Sequence, residues 1–275
     1  MSGAFAVHHG DFGRAALYEL NAKFVTHAHR EGHLIFYVSR APAIVEVCDS
    51  DYLLDQTRGV AISPWEPHKF VPLSETEPCF CLVLYMKPMW FLETCQTAEF
   101  ALSFGRNEII MTPEIQRWVM RLTSVLLGQD DPTMVDAFLL ETMRRCYFQS
   151  WHHCELTPPQ ERFRARFNDF RVRRALRLMK EHFTEDVEME WLAREVGLSR
   201  PHFFKLFKKQ MGITPNLFIN TLRSEQAISD LMVTEKSVTE IGYDLGFSSQ
   251  ASFTRFFSSN VGIAPSEYRR VAMDH

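Results

Sequence analysis

The sequence predicts a two-domain α+β protein: an N-terminal β-barrel with two following helices, then an all-α part. Three observations carry this expectation. Short apolar runs at close spacing fill residues 7–84, helical periodicity takes over near residue 115, and no strand pattern returns beyond residue 155. The length of 275 residues suits two domains, since a domain takes about 150 residues. With 46% apolar and 23% charged residues, the chain can bury two sizeable cores and lies far from disordered compositions.

Residues 34–38 (LIFYV), 43–47 (AIVEV), 60–62 (VAI) and 80–85 (FCLVLY) read as strands, spaced by Pro, Gly and Asp. Strands this close, with no helical period between them, pair as antiparallel hairpins and close into a barrel or jelly roll. Ile115, Trp118, Val119, Leu122, Val125 and Leu126 then recur on one helical face, which predicts a helix over about 113–127. Asp131 caps a second helix over about 132–148, with Pro132 at its first position and Met134, Phe138 and Met143 along it. Two readings stand for the stripe of the first helix: it packs on its own barrel, or it is the surface where a second copy docks. Residues 155–167, which open with Glu155, Leu156, Thr157, Pro158 and Pro159, form a linker, because each proline lacks an amide hydrogen and restricts its predecessor. The domains are therefore expected at 1–154 and 168–272.

Several function classes are excluded early. The longest apolar run, Cys79 to Met86, has eight residues, too few to cross a bilayer. The N-terminus lacks a basic region leading into an apolar one, so a cytoplasmic protein with no membrane partner is expected. Six cysteines (48, 79, 81, 95, 146, 154) form no CxxC pair, as expected of reduced thiols. Cys79 and Cys81, two apart on one strand face, read as small buried hydrophobes before they read as a redox pair. The net charge of −4 hides an asymmetry: residues 1–155 carry 12 basic against 19 acidic side chains, and residues 156–275 carry 18 against 15. A basic module follows an acidic one, which suits a polyanion and equally a solvated surface.

The C-terminal part contains an internal duplication with a period of about 50 residues. WLAREVGLSRPHFFKLFKKQMGITP (191–215) aligns with EIGYDLGFSSQASFTRFFSSNVGIAP (240–265), which is one residue longer at the turn. Each copy is a short amphipathic helix, a Gly turn and a second helix capped by Ser, the helix-turn-helix plan. Units are expected over about 188–210 and 238–261. Ala193 and Gly242 sit where the paired helices cross, and Gly197 and Gly246 supply the positive φ of the turn. Leu192, Val196, Leu198, Phe203 and Leu206 fill the first unit's core. An ordinary αα-hairpin has the same pattern. Two copies joined by one helix, about Phe218 to Met232, set two recognition helices near the ~34 Å repeat of successive major grooves.

Residues 168–272 resemble the AraC-type (AraC/XylS) family of transcription regulators, through the duplication and through Arg223, Ala227, Gly246, Phe247, Phe253, Arg255, Phe257, Pro265, Tyr268 and Arg269. The resemblance implies double-stranded DNA, RNA polymerase and a small-molecule effector as partners, a homodimer, activation of transcription and no enzymatic activity. It also assigns base contacts. In the first unit they fall on Pro201, Phe204 and Lys205, with Arg200, His202, Lys208 and Lys209 facing the groove or its walls; in the second they fall on Gln250, Ala251, Thr254 and Arg255. Arg255 suits guanine and Gln250 adenine, whereas Lys205 lacks the planar fork of arginine. Ser258 and Ser259 stand where the first unit has Lys208 and Lys209, so the second unit is expected to hold phosphate less firmly.

The N-terminal half holds His27, His29 and His33 in THAHREGH and His68 in PWEPH. Placed on a strand, His27 and His29 share a face. The set resembles the cupin motif H-x-H-x-x-x-E with a later His, His33 standing in for the Glu, and the sensory domains of AraC-type regulators are similar to cupins. That resemblance makes the four histidines effector-binding residues, held as hydrogen-bonding core groups beneath a pocket. As ligands, three or four imidazoles suit a divalent metal such as Zn, Ni, Cu or Fe. The rival function is then a metal-binding cupin enzyme or metal sensor fused to a DNA-binding module. His152, His153 and Cys154 are a further, weaker metal candidate.

Overall fold

The computed structural model describes residues 2–94, 102–152 and 169–273. The expected linker, with His153 and Cys154, lies outside the described residues. Among the described residues, nine strands occupy the N-terminal part: β1 (Gly3–Gly10), β2 (Gly13–Leu20), β3 (Gly32–Arg40), β4 (Ala43–Val47), β5 (Ser50–Leu54), β6 (Arg58–Ile62), β7 (His68–Pro72), β8 (Cys79–Met86) and β9 (Glu108–Ile110). They pair antiparallel in two sheets, one ordered β1-β2-β8-β3-β6-β9 and the other β5-β4-β7.

Side-chain alternation makes the larger sheet a two-faced layer. Ala15 and Leu17 of β2, Leu34 and Phe36 of β3, and Leu82, Leu84 and Met86 of β8 are buried on one face. Ala16, Tyr18, Ile35, Cys79, Cys81, Val83 and Tyr85 are buried on the other, together with Val45, Val47 and Phe70 of the smaller sheet. Cys79 and Cys81 are thus buried free thiols in the space between the sheets.

The outer face of the larger sheet is covered by α2 (Pro113–Leu126) and α3 (Val135–Trp151); α1 (Pro88–Thr94) precedes them. The Thr112 hydroxyl accepts from the Ile115 amide and starts α2. Asp131 caps a 3-10 turn, Pro132–Met134, by accepting from the Thr133 amide and hydroxyl, and α3 proper begins only at Val135. Ile115, Val119, Leu122 and Leu126 are buried in the cluster that contains the sheet's outer face and Leu139, Met143 and Cys146 of α3. The stripe therefore packs on its own barrel. The dimer-surface reading fails because the sheet's outer face is itself apolar and takes the stripe first.

Helices fill the remainder: α4 (Phe170–His182), α5 (Met189–Glu195), α6 (Arg200–Met211), α7 (Pro215–Val233), α8 (Val238–Asp244), α9 (Gln250–Val261) and α10 (Pro265–Met273). Both turns take the expected form, with φ of 70° at Gly197 and 80° at Gly246. The duplication now has two distinct cores. Leu192, Val196, Phe203, Phe207 and Phe218 close the first. Ile241, Leu245, Phe253, Phe257 and Tyr268 close the second, and this one is continuous with the space between the two sheets. Among the described residues no helix is long and apolar enough to cross a membrane.

An alanine at Gly246 would need a left-handed backbone and would set its Cβ 2.2 Å from the Thr184 carbonyl oxygen. At Gly197 the backbone demand is the same, but a Cβ meets nothing within 4 Å. Gly197→Ala should therefore cost about 1–2 kcal/mol, the left-handed penalty alone, and Gly246→Ala clearly more. Urea midpoints of the two variants should rank in that order.

Candidate nucleic-acid interface and histidine cluster

The second helices of the two repeats, α6 and α9, are amphipathic with their aromatic faces inward. Phe203, Phe207, Phe253 and Phe257 are fully buried, which orients the remaining faces outward. On α6, Arg200, Pro201, His202, Lys205, Lys208 and Lys209 are exposed and Phe204 is half-buried. On α9, Gln250, Ala251 and Arg255 are exposed and Thr254 is half-buried. Every side chain expected to touch DNA is thus at the surface or its edge, and none is enclosed by the N-terminal half.

Some of these groups already have partners. Arg200 pairs with Glu190 at 3.1 Å and lies 5.4 Å from the centre of the Phe204 ring. The Ser199 hydroxyl and His202 Nδ1 lie 3.2 Å apart, and the Gln250 side-chain oxygen accepts from the Thr239 hydroxyl at 2.9 Å. Surface pairs of this kind are worth little in water and exchange readily for phosphate. Other signature residues are structural. Arg223 donates to the carbonyls of Phe183 and Glu185, both at 2.7 Å, and Arg269 donates to the Leu231 carbonyl at the end of α7. Helix α7 has 19 residues, longer than the sequence suggested because Thr214 caps it three residues earlier.

The four histidines do converge. His27, His29, His33 and His68 are all buried, with ring centres 4.3 Å apart for His27 and His68, 4.5 Å for His33 and His68, and 5.0 Å for His27 and His29. The expected strand beneath His27 and His29 is absent. They lie on an extended segment that makes a single bridge to β7, where the His27 and His68 amides and carbonyls exchange two bonds of 2.9 Å. His33 comes from β3 and His68 opens β7.

Burial holds all four rings neutral. His27 is pushed down to about 4, and His29, His33 and His68 lie well below the ordinary value, burial being the largest cause in each and neighbouring charges adding to it. The tautomers of two rings follow from their partners. His27 Nδ1 and His68 Nδ1 stand 2.8 Å from the carbonyls of Val25 and Glu66, which only accept, so each Nδ1 carries the proton and each Nε2 is a lone pair. Three buried ring nitrogens, His29 Nε2, His33 Nδ1 and His68 Nε2, have no hydrogen-bond partner. The adjoining cavity, bordered also by Tyr85, Phe24, Phe70 and Val261, has about 30 Å³ of room.

Comparison with known proteins fits this architecture. Residues 192–271 match the family model of a helix-turn-helix domain. The match takes in both helix-turn-helix units and the helix that joins them. It is 37% identical over 102 residues to an uncharacterised helix-turn-helix-type transcriptional regulator of Staphylococcus aureus, covering 37% of this chain and 14% of that protein. It is 34% identical over 103 residues to the regulatory protein PocR of Salmonella typhimurium, covering 38% of this chain and 34% of PocR. The chain thus matches only a minor share of either relative's length. The crystal structure of ToxT from Vibrio cholerae O395 superposes with a TM-score of 0.56 at 15% identity, over 95% of this chain and 98% of ToxT. A ToxT structure with unsaturated fatty acid bound, from strain SCE256, gives 0.57 at 15% identity over 95% and 96%. At that identity the likeness is one of fold, and it extends over both halves of the chain.

The seam between the helix-turn-helix domain and the β-sheets joins Tyr268, which the sequence marks only as a signature residue, to partners that sequence reasoning did not single out. Tyr268, wholly buried, accepts from Arg14 Nη1 at 3.3 Å, which leaves its own O–H to donate to His9 Nε2 at 3.0 Å. Glu267 accepts from the Ala4 amide at 3.1 Å. The Phe24 ring lies over Gly262, where a Cβ would stand 2.2 Å from it. Trp65 stacks on Phe218 with ring centres 5.0 Å apart. One signal was available: Arg14 is the only cation in β2 and stands next to its apolar run Ala15–Tyr18.

His9 is held down to about 4, chiefly by burial and then by Arg14, His8 and Lys87. An unfolded chain takes up that proton near 6.5, so the stability conferred by neutral His9 is complete above that pH and is lost as pH falls toward 4. The fall in thermal midpoint from pH 7 to 4.5 should therefore be shallower for His9→Gln than for the unsubstituted protein, the two being measured side by side.

Proposed function

We propose that the protein is a sequence-specific, DNA-binding transcription regulator controlled by an effector held in its N-terminal domain. One observation carries the reading. Two helix-turn-helix units joined by a single 19-residue helix turn the polar faces of both recognition helices to solvent while burying the apolar ones. An αα-hairpin with a structural role has no reason to expose a lysine-rich face on one copy and Gln250 and Arg255 at matching positions on the other. The relative named as a helix-turn-helix-type transcriptional regulator and the one named as a regulatory protein support the same reading.

In this assignment Arg255 and Gln250 read base edges in the major groove, joined by Ala251 and Thr254. Phe204 presses on a thymine methyl, with Pro201 and Lys205 beside it, and Arg200, His202, Lys208 and Lys209 hold phosphate. The effector site is the cavity bordered by His27, His33 and His68, with His29 in the same ring cluster. It reaches Val261 at the end of the second recognition helix, so an occupant changes the packing of that helix directly. Differential affinity for two docked states is what converts such binding into regulation. The protein acts as an activator in the cytoplasm, contacts RNA polymerase, catalyses no reaction, and works as a homodimer. Met120 and Leu127, seven apart and exposed on the outer side of α2, replace the buried stripe as the surface for a second copy.

Footprinting of the full chain on its own upstream region, with competitor DNA, tests the reading. Protection of two adjacent major grooves on one face is expected; uniform, sequence-independent coverage would overturn it. Arg255→Ala should relax preference at one base pair, a loss of about 1–3 kcal/mol of discrimination. Lys208→Ala should weaken binding to every sequence and lower the salt slope by about one. Identical effects of the two changes across a set of operator variants would defeat the assignment.

A further inference from the structure

The cavity at the histidine cluster is too small for an organic effector in this conformation. About 30 Å³ of room takes a water or an ion, whereas sites for drug-sized ligands run to several hundred Å³. The ring cluster at its edge nevertheless carries unspent chemistry. Three buried imidazole nitrogens have no partner, and an unpaired buried polar atom costs free energy unless something fills its lone pair. The donor set fits a borderline divalent ion. His27, His29 and His68 each place one ring nitrogen within 4.8 Å of the other two, and small ring rotations bring them to the ~3.4 Å separation of ligands around a shared zinc. The second shell is already built: His27 and His68 donate Nδ1–H to the Val25 and Glu66 carbonyls, leaving Nε2 as the metal-binding atom of each. His33, with its ring 4.5 Å from His68 and its Nδ1 unpartnered, lies beside this triad but outside it.

We propose that His27, His29 and His68 bind a single Zn²⁺-class ion, and that this ion is the effector whose occupancy sets the docking of the DNA-binding domain. The second half rests on the regulator reading above; the first does not. Transmission needs no long pathway, because the segment that carries two ligands is also the seam. Along residues 24–30 the Val25 amide donates to the Ser259 carbonyl of α9, the Ala28 carbonyl accepts from the Thr221 hydroxyl of α7, and the Arg30 amide donates to Glu225. The intervening His27 and His29 side chains meet the histidine cluster. Drawing His27 and His29 toward an ion shared with His68 therefore pulls on backbone that touches both the recognition helix α9 and the connecting helix α7. All three ligands are neutral, so the ion keeps its charge and holds a water or an anion at a remaining position.

The test uses the full chain, stripped with chelator and titrated with Co²⁺ and then Zn²⁺. One equivalent of Co²⁺ should produce the intense visible bands of tetrahedral nitrogen ligation, and Zn²⁺ should displace it stoichiometrically. His29→Asn and His68→Gln should each weaken binding at least 100-fold with an unchanged far-ultraviolet circular dichroism spectrum. His182→Gln, at the end of α4 and away from the cluster, should bind as the unsubstituted chain does. If a variant misfolds, the unsubstituted protein still decides: no saturable Co²⁺ band at micromolar metal, or a band untouched by either histidine change, overturns the site. Hydrogen exchange supplies the readout for coupling. Metal should slow exchange of the Val25 and Arg30 amides at least tenfold, and unchanged exchange with metal bound overturns the coupling while leaving the site. Footprinting in the same preparations separates the metal site from the regulator reading: bound metal with no protected DNA under any condition sinks that reading, and with it the effector half of the proposal, while leaving the site.

Discussion

The fold depends on one shared apolar core. The three strands β5-β4-β7 are too few to cover the inner face of the six-stranded sheet, and an uncovered face bearing Tyr18, Ile35, Val83 and Tyr85 would stand in water. The second helix-turn-helix unit fills the gap. Phe253, Phe257, Val261, Ile263 and Tyr268 belong to the same buried cluster as Val45, Val47 and Phe70. The first unit keeps a core of its own and touches the sheets chiefly through Ala28 and Trp65. The two repeats are therefore alike in sequence and unlike in attachment, and an event inside the sheets reaches the second one first.

Electrostatics sharpen the same seam. The Arg14 guanidinium is buried, lies 3.7 Å from the centre of the Tyr85 ring, and has Glu31 only at 4.0 Å. A buried cation so lightly paired persists because Tyr268 and the Tyr85 face take the place of water around it. Undocking would re-solvate Arg14 and expose the Tyr268 ring, two terms of opposite sign. Their partial cancellation is what lets a large interface remain adjustable, since apolar burial alone would lock it.

Strands with one-sided or continuous apolar runs were legible, and so was the duplication, because Phe, Gly and Pro recur at fixed offsets. What escaped did so for physical reasons. Strands β1 and β2 are rich in Ala, Gly and His, and β2 is buried on both faces, so neither the alternation nor the bulk that marks a strand is present. The histidines were legible as a set, but not their mounting, because the segment carrying His27 and His29 is held by a bridge to His68 and by separate bonds to Phe70, Trp65, Ser259 and Thr221 rather than as a strand of its own. The seam was invisible in principle: Arg14 and Tyr268 are 254 residues apart, and nothing local in either neighbourhood announces the other.

One departure between the repeats acquires a cause from this arrangement. The first recognition helix ends in Lys208 and Lys209, whereas the second has Ser258 and Ser259 at the same positions, both half-buried. The Ser259 carbonyl accepts from the Val25 amide at 3.3 Å, so this end of α9 lies against the histidine-bearing segment. Lysines there would press two ammonium groups against the histidine-bearing segment, at a desolvation cost with no anion in the free protein to offset it. Small hydroxyl side chains avoid that cost and leave the carbonyl accessible. On the proposed reading, the weaker phosphate grip expected of the second unit follows from its being the docked one, because the surface that would carry lysines is the surface that meets the histidine-bearing segment.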